Sequence, residues 1–103
     1  MSFGQIIAEA RKKTRISQKQ LAAQIKKEDG APISPQYLND IERDRRNPPS
    51  EYLIRQFAKK LDLDEEYLIL ATGTLPSAVR ARLTDSDPEL IVRAYQAFRR
   101  NIK

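Results

Sequence analysis

The feature that most constrains this chain is a repeated helix-start signal, in which serine or aspartate precedes apolar residues spaced three or four apart. The signal occurs six times in 103 residues, at Ser2, Ser17, Ser34, Ser50, Asp64 and Asp87. These side chains accept hydrogen bonds from the free N–H groups of a first helical turn. Proline follows two of them, where its missing N–H costs least. No strand-like alternation accompanies the signal, so the sequence predicts an all-α fold.

Five helices are predicted before a turn at residues 72–76, and a helical tail after it. The predicted segments are, in order, residues 3–13, a helix after Ser17, residues 34–43, a helix after Ser50, residues 65–71, residues 76–83 and residues 87–100. The apolar positions predicted to face inward are Phe3, Ile6, Ile7, Ala10, Leu21, Ala22, Ile25, Leu38, Ile41, Leu53, Ile54, Phe57, Ala58, Leu61, Val79 and Leu83. Because the turn is the one candidate boundary, we predict domains at 1–75 and 76–103.

Composition argues against several classes of protein. The sequence contains no cysteine and no histidine, which removes thiolate and imidazole metal ligands and the commonest general base. No paired carboxylates replace them. We therefore expect no catalytic residues, no metal, no cofactor and no enzyme activity. The chain also lacks the roughly 18 to 20 consecutive apolar residues of a membrane span and a secretion signal pattern, so we expect a cytoplasmic protein.

The net charge of +5 is unevenly distributed. Residues 1–48 carry ten basic against six acidic residues (+4), residues 49–75 three against five (−2), and residues 76–103 six against three (+3). A basic surface favours a polyanionic partner, nucleic acid first, because binding releases condensed counterions. The alternative from charge alone is a solvated surface that keeps a small protein soluble.

Basic residues directly follow the third predicted helix. The stretch that contains both, residues 33–49, reads ISPQYLNDIERDRRNPP. On a helical wheel that turns Leu38 and Ile41 inward, the opposite face carries the polar side chains Gln36, Asn39, Asp40 and Arg43. Amide and guanidinium groups of this kind read base edges in a DNA major groove. The carboxylate of Asp40 either accepts from a cytosine amino group or repels phosphate and excludes wrong sequences. The alternative is an ordinary solvated helix face.

Neighbouring positions favour DNA binding over that alternative. The exposed amino end of the second helix, near Gln18 and Lys19, is suited to a backbone phosphate. The basic run that follows the third helix is placed to grip the sugar-phosphate backbone. Arg11 and Glu42 have the spacing to meet across the first and third helices.

Residues 3–75 resemble the Cro/phage-repressor (Xre-type) helix-turn-helix family. The matching stretches read FGQIIAEARKKTRISQKQLA and ISPQYLNDIERDRRNPPSEYLIRQFAKKLDLDEEYL. The resemblance implies a five-helix repressor-like domain in which the Arg11–Glu42 pair is structural. The tail helices predicted above add a C-terminal helical extension to it. Taken together, the resemblance and the helical wheel give five candidates for contacting base edges: Pro35, Gln36, Asn39, Asp40 and Arg43. The candidates for contacting phosphate are Gln18, Lys19, Arg45, Arg46 and Asn47.

The sequence departs from the family pattern at two places. The turn between the second and third helices, residues 26–33, is enlarged by about six residues, so the second helix either runs longer or ends in a looser loop. Lys26 and Lys27 could reach phosphate from there, or simply be solvated. Pro35 lacks a polar reading group and would contribute shape or methyl contact.

The tail carries an apolar stripe on its longer helix, made up of Leu90, Ile91, Ala94, Tyr95, Phe98 and Ile102. Such a helix either folds back on its own core or pairs with a second copy. We expect a homodimeric transcriptional regulator, a repressor, whose helix 34–43 reads double-stranded DNA. The alternative is an antitoxin-like interaction module that holds a partner protein through its C-terminal helix.

Overall fold

The computed structural model describes residues 1–102 and is all-helical over that range apart from one isolated bridge between Lys26 and Pro32. Its helices are, in chain order, α1 Phe3–Lys13, α2 Gln18–Gln24, α3 Pro35–Glu42, α4 Glu51–Leu61, α5 Glu65–Leu70, α6 Ser77–Asp85 and α7 Pro88–Asn101. The predicted fold class is therefore confirmed. Residue 103, the last of the predicted extension, lies outside the described residues.

Six of the helices begin where the capping pattern predicts. Every predicted cap side chain accepts from a backbone N–H of its own first turn. At Ser2 and Ser17 the bond is reciprocal, because Gln5 and Gln20 reach back to the cap's N–H and form capping boxes. α6 differs, since it begins after Pro76 without a side-chain cap. The start of α6 was accordingly the least clearly signalled in the sequence.

One hydrophobic core lies among α1 to α5. Thirteen of the predicted inward positions are buried there, namely Phe3, Ile6, Ile7, Leu21, Ala22, Ile25, Leu38, Ile41, Leu53, Ile54, Phe57, Ala58 and Leu61. Ala10 is partly buried against this core. Ile33, Leu68 and Ile69 are also buried but were not predicted. In contrast, Val79 and Leu83 of α6 are only half-buried.

The amino end of α1 packs directly against the carboxyl end of α3. Gly4 is buried at this crossing, where an added Cβ would overlap the backbone carbonyl oxygens of Ile41 and Glu42. Just beyond α3, Asp44 adopts a left-handed conformation with φ of 57°. Its carboxylate accepts from the N–H of Gly4 at 3.0 Å and from the hydroxyl of Ser2 at 2.5 Å. The crossing fixes α3 to α1 by backbone contact as well as side-chain packing.

The enlarged segment between α2 and α3 is a compact hairpin. α2 ends at Gln24 because Ile25 is extended, and the N–H of Ile33 donates to the carbonyl of Ile25 at 2.9 Å. The side-chain amide of Gln56 on α4 clamps Lys26, accepting from its N–H at 2.7 Å and donating to its carbonyl at 2.6 Å. Neither of the two predicted forms is present: α2 is not longer, and the segment is not loose.

The tail leaves the core after Gly73. This residue lies shortly after the end of α5 and has a left-handed backbone with φ of 85°. α6 is attached through Glu51 of α4, which accepts from the N–H of Ser77 at 2.8 Å and from its hydroxyl at 3.0 Å. α7 buries none of its residues. Of the two alternatives predicted for it, folding back onto the core is therefore absent. The division at 75/76 stays a prediction. Among residues 1–102, no helix combines the length and hydropathy that crossing a membrane requires.

Candidate nucleic-acid interface

α3 presents one apolar and one polar face. Leu38 and Ile41 are buried in the core, as the helical wheel predicts. On the other side, Gln36 and Arg43 are exposed, whereas Asn39 and Asp40 are half-buried by contacts with their neighbours. Proline at the first helical position is also exposed. The outward face is therefore a polar surface whose members are partly held by one another.

A single carboxylate holds α1, α2 and α3 together. Glu42 is only 8% exposed and accepts from Arg11 Nε at 2.7 Å and from Arg11 Nη2 at 3.0 Å. The same carboxylate accepts from Gln18 Nε2 at 3.0 Å. The hydrogen bonds that Arg11 donates to Glu42 raise the pKa of Arg11 above its ordinary value, because they stabilise the charged guanidinium. Arg11 also donates to the carbonyl of Ile16 at 2.9 Å, which ties it to the turn between α1 and α2.

The hydrogen bonds among Arg11, Gln18 and Glu42, called here the Arg11–Gln18–Glu42 link, set the angle between α2 and α3. Because Glu42 bonds to a residue of α1 and a residue of α2 at once, rotation of α3 against either helix would break a charge-assisted hydrogen bond. The hairpin at residues 25–33 lies outside the link, so its extra length does not loosen the helix pair. The enlarged turn thus alters the connection and leaves the α2–α3 packing intact.

Asn39 lies where the polar face of α3 meets α2. Its side-chain oxygen accepts from Gln18 Nε2 at 3.2 Å and from Arg43 Nε at 3.3 Å. Bidentate recognition of adenine uses both the oxygen and the nitrogen of such an amide. Asn39 must therefore release its two partners if it is to read a base in that way. The contact places Gln18, a phosphate candidate, directly beside a base-reading candidate.

Asp40 joins the base-reading candidates to the basic segment after α3. Its Oδ1 accepts from Gln36 Nε2 at 3.0 Å. Arg45 Nη1 lies 3.8 Å from Oδ1, and Arg46 Nε lies 3.5 Å from Oδ2. Arg46 also stacks over the ring of Tyr37, with its guanidinium carbon 5.2 Å from the centroid. A cytosine amino group would have to compete with these donors, so the geometry favours Asp40 as a residue that positions its neighbours.

The remaining phosphate candidates lie exposed at two separate places. Lys19 is on the first turn of α2, and Arg45, Arg46 and Asn47 follow the end of α3. The left-handed backbone at Asp44 turns the chain there, and the N–H of Arg45 donates to the carbonyl of Asp40 at 2.9 Å. The polar face of α3 is thus flanked by basic side chains on α2 and on the segment after α3.

Sequence reasoning missed three residues that support this surface. They are Gly4, which allows the α1–α3 crossing, Asp44, which binds the amino end of α1, and Gln56, which holds the hairpin. Only Asp44 carried a usable signal, since aspartate just after a helix tolerates the left-handed conformation. The other two act on partners about 30 residues or more away in the chain, which local patterns do not reveal.

One known protein family matches more than half of the chain. A family model described as helix-turn-helix matches residues 7–68, a span that starts within α1, includes α2, α3 and α4, and ends within α5. No curated protein and no solved structure matches the chain significantly. The matched span contains the Arg11–Gln18–Glu42 link and the polar face of α3.

Proposed function

The chain belongs to the Cro/Xre-type helix-turn-helix family, and from this premise we propose that it is a sequence-specific transcriptional repressor that reads DNA with α3. The family supports DNA binding by a regulator of this type. The operator, the repressing action and the residue roles are the proposal. A repressor of this kind would act by position, by occupying a promoter with α3 inserted in the major groove.

The observation that carries the proposal is the polar face of α3 on a rigid support. Its opposite face is anchored by Leu38 and Ile41 in the core, and Glu42 fixes its end to two other helices. A major groove is wide enough for one α-helix, and amide or guanidinium groups on that helix can distinguish base pairs. Gln36 and Arg43 are exposed for such contacts.

We further propose that the regulator works as a homodimer. Two copies of α3 would contact half-sites about one DNA turn apart, which multiplies both affinity and specificity. The exposed apolar stripe of α7 supports this assembly, since none of its members is buried in the single chain. An operator with two-fold symmetry is the corresponding expectation for the DNA.

The decisive experiment is selection of the folded protein against a random duplex library at about physiological salt, which suppresses weak non-specific binding. An enriched palindrome with half-sites about ten base pairs apart supports the dimeric regulator and names its operator. An enriched single half-site supports DNA reading by a monomer. No enrichment would contradict sequence-specific reading.

Protein variants, assayed for binding to the selected operator and to scrambled DNA, distinguish residues that recognise bases from residues that contact phosphate. We expect Gln36→Ala to lose about 1 to 3 kcal/mol of binding free energy on the operator and to relax preference at one base pair. Arg45→Ala should weaken binding to operator and scrambled DNA alike and lower the salt slope by about one. Lys60→Ala, which removes an exposed charge on α4, is the matched control. Equal effects of Gln36→Ala on both duplexes would contradict the reading role.

Asp40→Asn tests the positioning role assigned to this carboxylate. The substitution removes the charge beside Arg45 and Arg46, so both guanidinium groups become available to phosphate. We expect tighter binding to scrambled DNA and a smaller ratio of operator to scrambled affinity. Glu66→Gln removes the same charge from the exposed surface of α5 and is the control. A fall in affinity for scrambled DNA would argue against the role.

The second candidate function is the antitoxin-like interaction module. The exposed stripe of α7 favours it too, because an apolar helix face can hold a different protein as well as a second copy. The library selection discriminates between the two functions, since the interaction module requires no enriched sequence. Failure to enrich, from protein shown to be folded by circular dichroism, would leave this candidate in place of DNA reading.

A further inference from the structure

α7 exposes a continuous apolar stripe of the kind that proteins normally cover. Leu90, Tyr95, Phe98 and Ile102 each expose more than half of their surface. At about 100° per residue, Leu90, Tyr95 and Phe98 fall on one side of the helix together with Ile91 and Ala94. Ile102 follows directly after the last helical residue. Val92 lies off this stripe, although it is also more than half exposed.

The stripe has a layout that fits a copy of itself. Ala94 lies at its middle, one helical turn from Leu90 on one side and one turn from Phe98 on the other. A small residue at the centre lets two helix backbones approach closely, while the larger side chains fill the space above and below the crossing. If two copies cross at Ala94 in opposite directions, Leu90 of each faces Phe98 of the other.

Charge along the tail selects the direction of pairing. The amino-terminal end carries three acids and no base between residues 85 and 89, whereas residues 93–100 carry three arginines and no acid. A parallel pair would set acidic end against acidic end and basic end against basic end. An antiparallel pair sets opposite charges together at both ends, and such complementarity favours one orientation over the other.

From this stripe and this charge order, we propose that α7 pairs antiparallel with α7 of a second copy, crossing near Ala94, and that this pair is the dimer interface. The proposal rests on the homodimer of the proposed function and adds its surface and orientation. Residues 1–71 supply no cover for the stripe, because the core is complete without α7 and no residue of α7 is buried.

The first test measures assembly of the full chain by sedimentation over a range of protein concentrations. We expect a monomer–dimer equilibrium for the native sequence. Leu90→Ala combined with Phe98→Ala should raise the dissociation constant at least about tenfold, because the two large side chains that face each other across the crossing are lost. Val92→Ala, an equally exposed position off the stripe, should leave the constant unchanged within about twofold. Circular dichroism of each variant checks that the helices remain.

The second test determines orientation and uses the absence of cysteine from the sequence. Single substitutions Leu90→Cys and Phe98→Cys are made in two chains of different tag length. In the antiparallel pair, the two Leu90 positions lie about 12 Å apart along the helix axis, beyond the roughly 7 Å that a disulfide tolerates between Cα atoms. We expect a disulfide when the two chains are mixed and none in either chain alone.

Three results would overturn the proposal. They are a native chain that stays monomeric at every concentration, a dimer that the stripe variants leave unchanged, and a disulfide within Leu90→Cys alone, which indicates a parallel pair. Each is independent of DNA. The library selection decides DNA reading separately, because a monomer with a working α3 still enriches a half-site. Loss of the interface and loss of the proposed function are therefore distinguishable.

Discussion

α4 and α7 have similar patterns of apolar and charged residues, but α4 is packed in the core and α7 is exposed. Each is amphipathic, each has glutamate in its first turn, and each has two basic residues in its last turn. α4 buries five apolar side chains in the centre of the core, whereas α7 buries none. The pattern that predicts a helix and its apolar face is thus the same for both. What the pattern does not contain is the identity of the surface that covers that face.

The largest expected difference comes from removing one phenylalanine in each region. Phe57 of α4 is fully buried, so Phe57→Ala should lower the free energy of unfolding by about 3 to 5 kcal/mol through lost burial and a cavity. Phe98→Ala in α7 should change it by less than about 0.5 kcal/mol in dilute, monomeric protein. Urea unfolding measures both. A large loss in Phe98→Ala would mean that α7 packs on the core after all.

A smaller loss is expected from the link at Glu42. Glu42→Gln removes the charge that binds Arg11 and leaves the guanidinium without its ionic partner, so the free energy of unfolding should fall by about 1.5 to 3 kcal/mol. Glu66→Gln on the exposed surface of α5 is the control and should have almost no effect. Equal stability of both variants would show that α3 is held mainly by its apolar face.

Crowding at the α1–α3 crossing gives the next prediction. Gly4→Ala should lower the free energy of unfolding by about 1 to 3 kcal/mol, because the new Cβ overlaps two backbone carbonyls that cannot rotate away. In an uncrowded helix the same change would stabilise the protein by roughly 0.5 to 1 kcal/mol. Thermal and urea unfolding give the sign directly. Stabilisation would show that α1 can shift at no cost, and would weaken the case for a rigidly seated α3.

The sequence predicted what is local but, apart from the Arg11–Glu42 pair, missed the contacts that join distant elements. Six helix starts followed from cap residues, since a cap acts within its own first turn. The polar face of α3 followed from the turn angle of one helix. The hairpin did not, because its form depends on Gln56 of α4 clamping Lys26 across 30 residues of chain. The contacts of Asp40 with Arg45 and Arg46 were also missed. Both arginine side chains are partly exposed, so either can be solvated or paired with a carboxylate, and the local sequence does not decide which.

The smallest expected effect is at Glu51 of α4, where α6 of the helical tail is attached. The hydrogen bond from the N–H of Ser77, helped by Arg55, holds the pKa of Glu51 below its ordinary value of 4.5, since these contacts favour the carboxylate. The contribution to attachment of α6 is therefore complete above pH 4.5 and is lost as the pH falls below it through the lowered pKa. In an NMR titration, the Ser77 amide should move in that acid range while core amides such as that of Leu38 stay unchanged. Glu51→Gln should abolish the movement. If Ser77 and Leu38 titrated together, release of α6 would be coupled to the core, and the tail would be part of the same folding unit rather than a separately released helix pair.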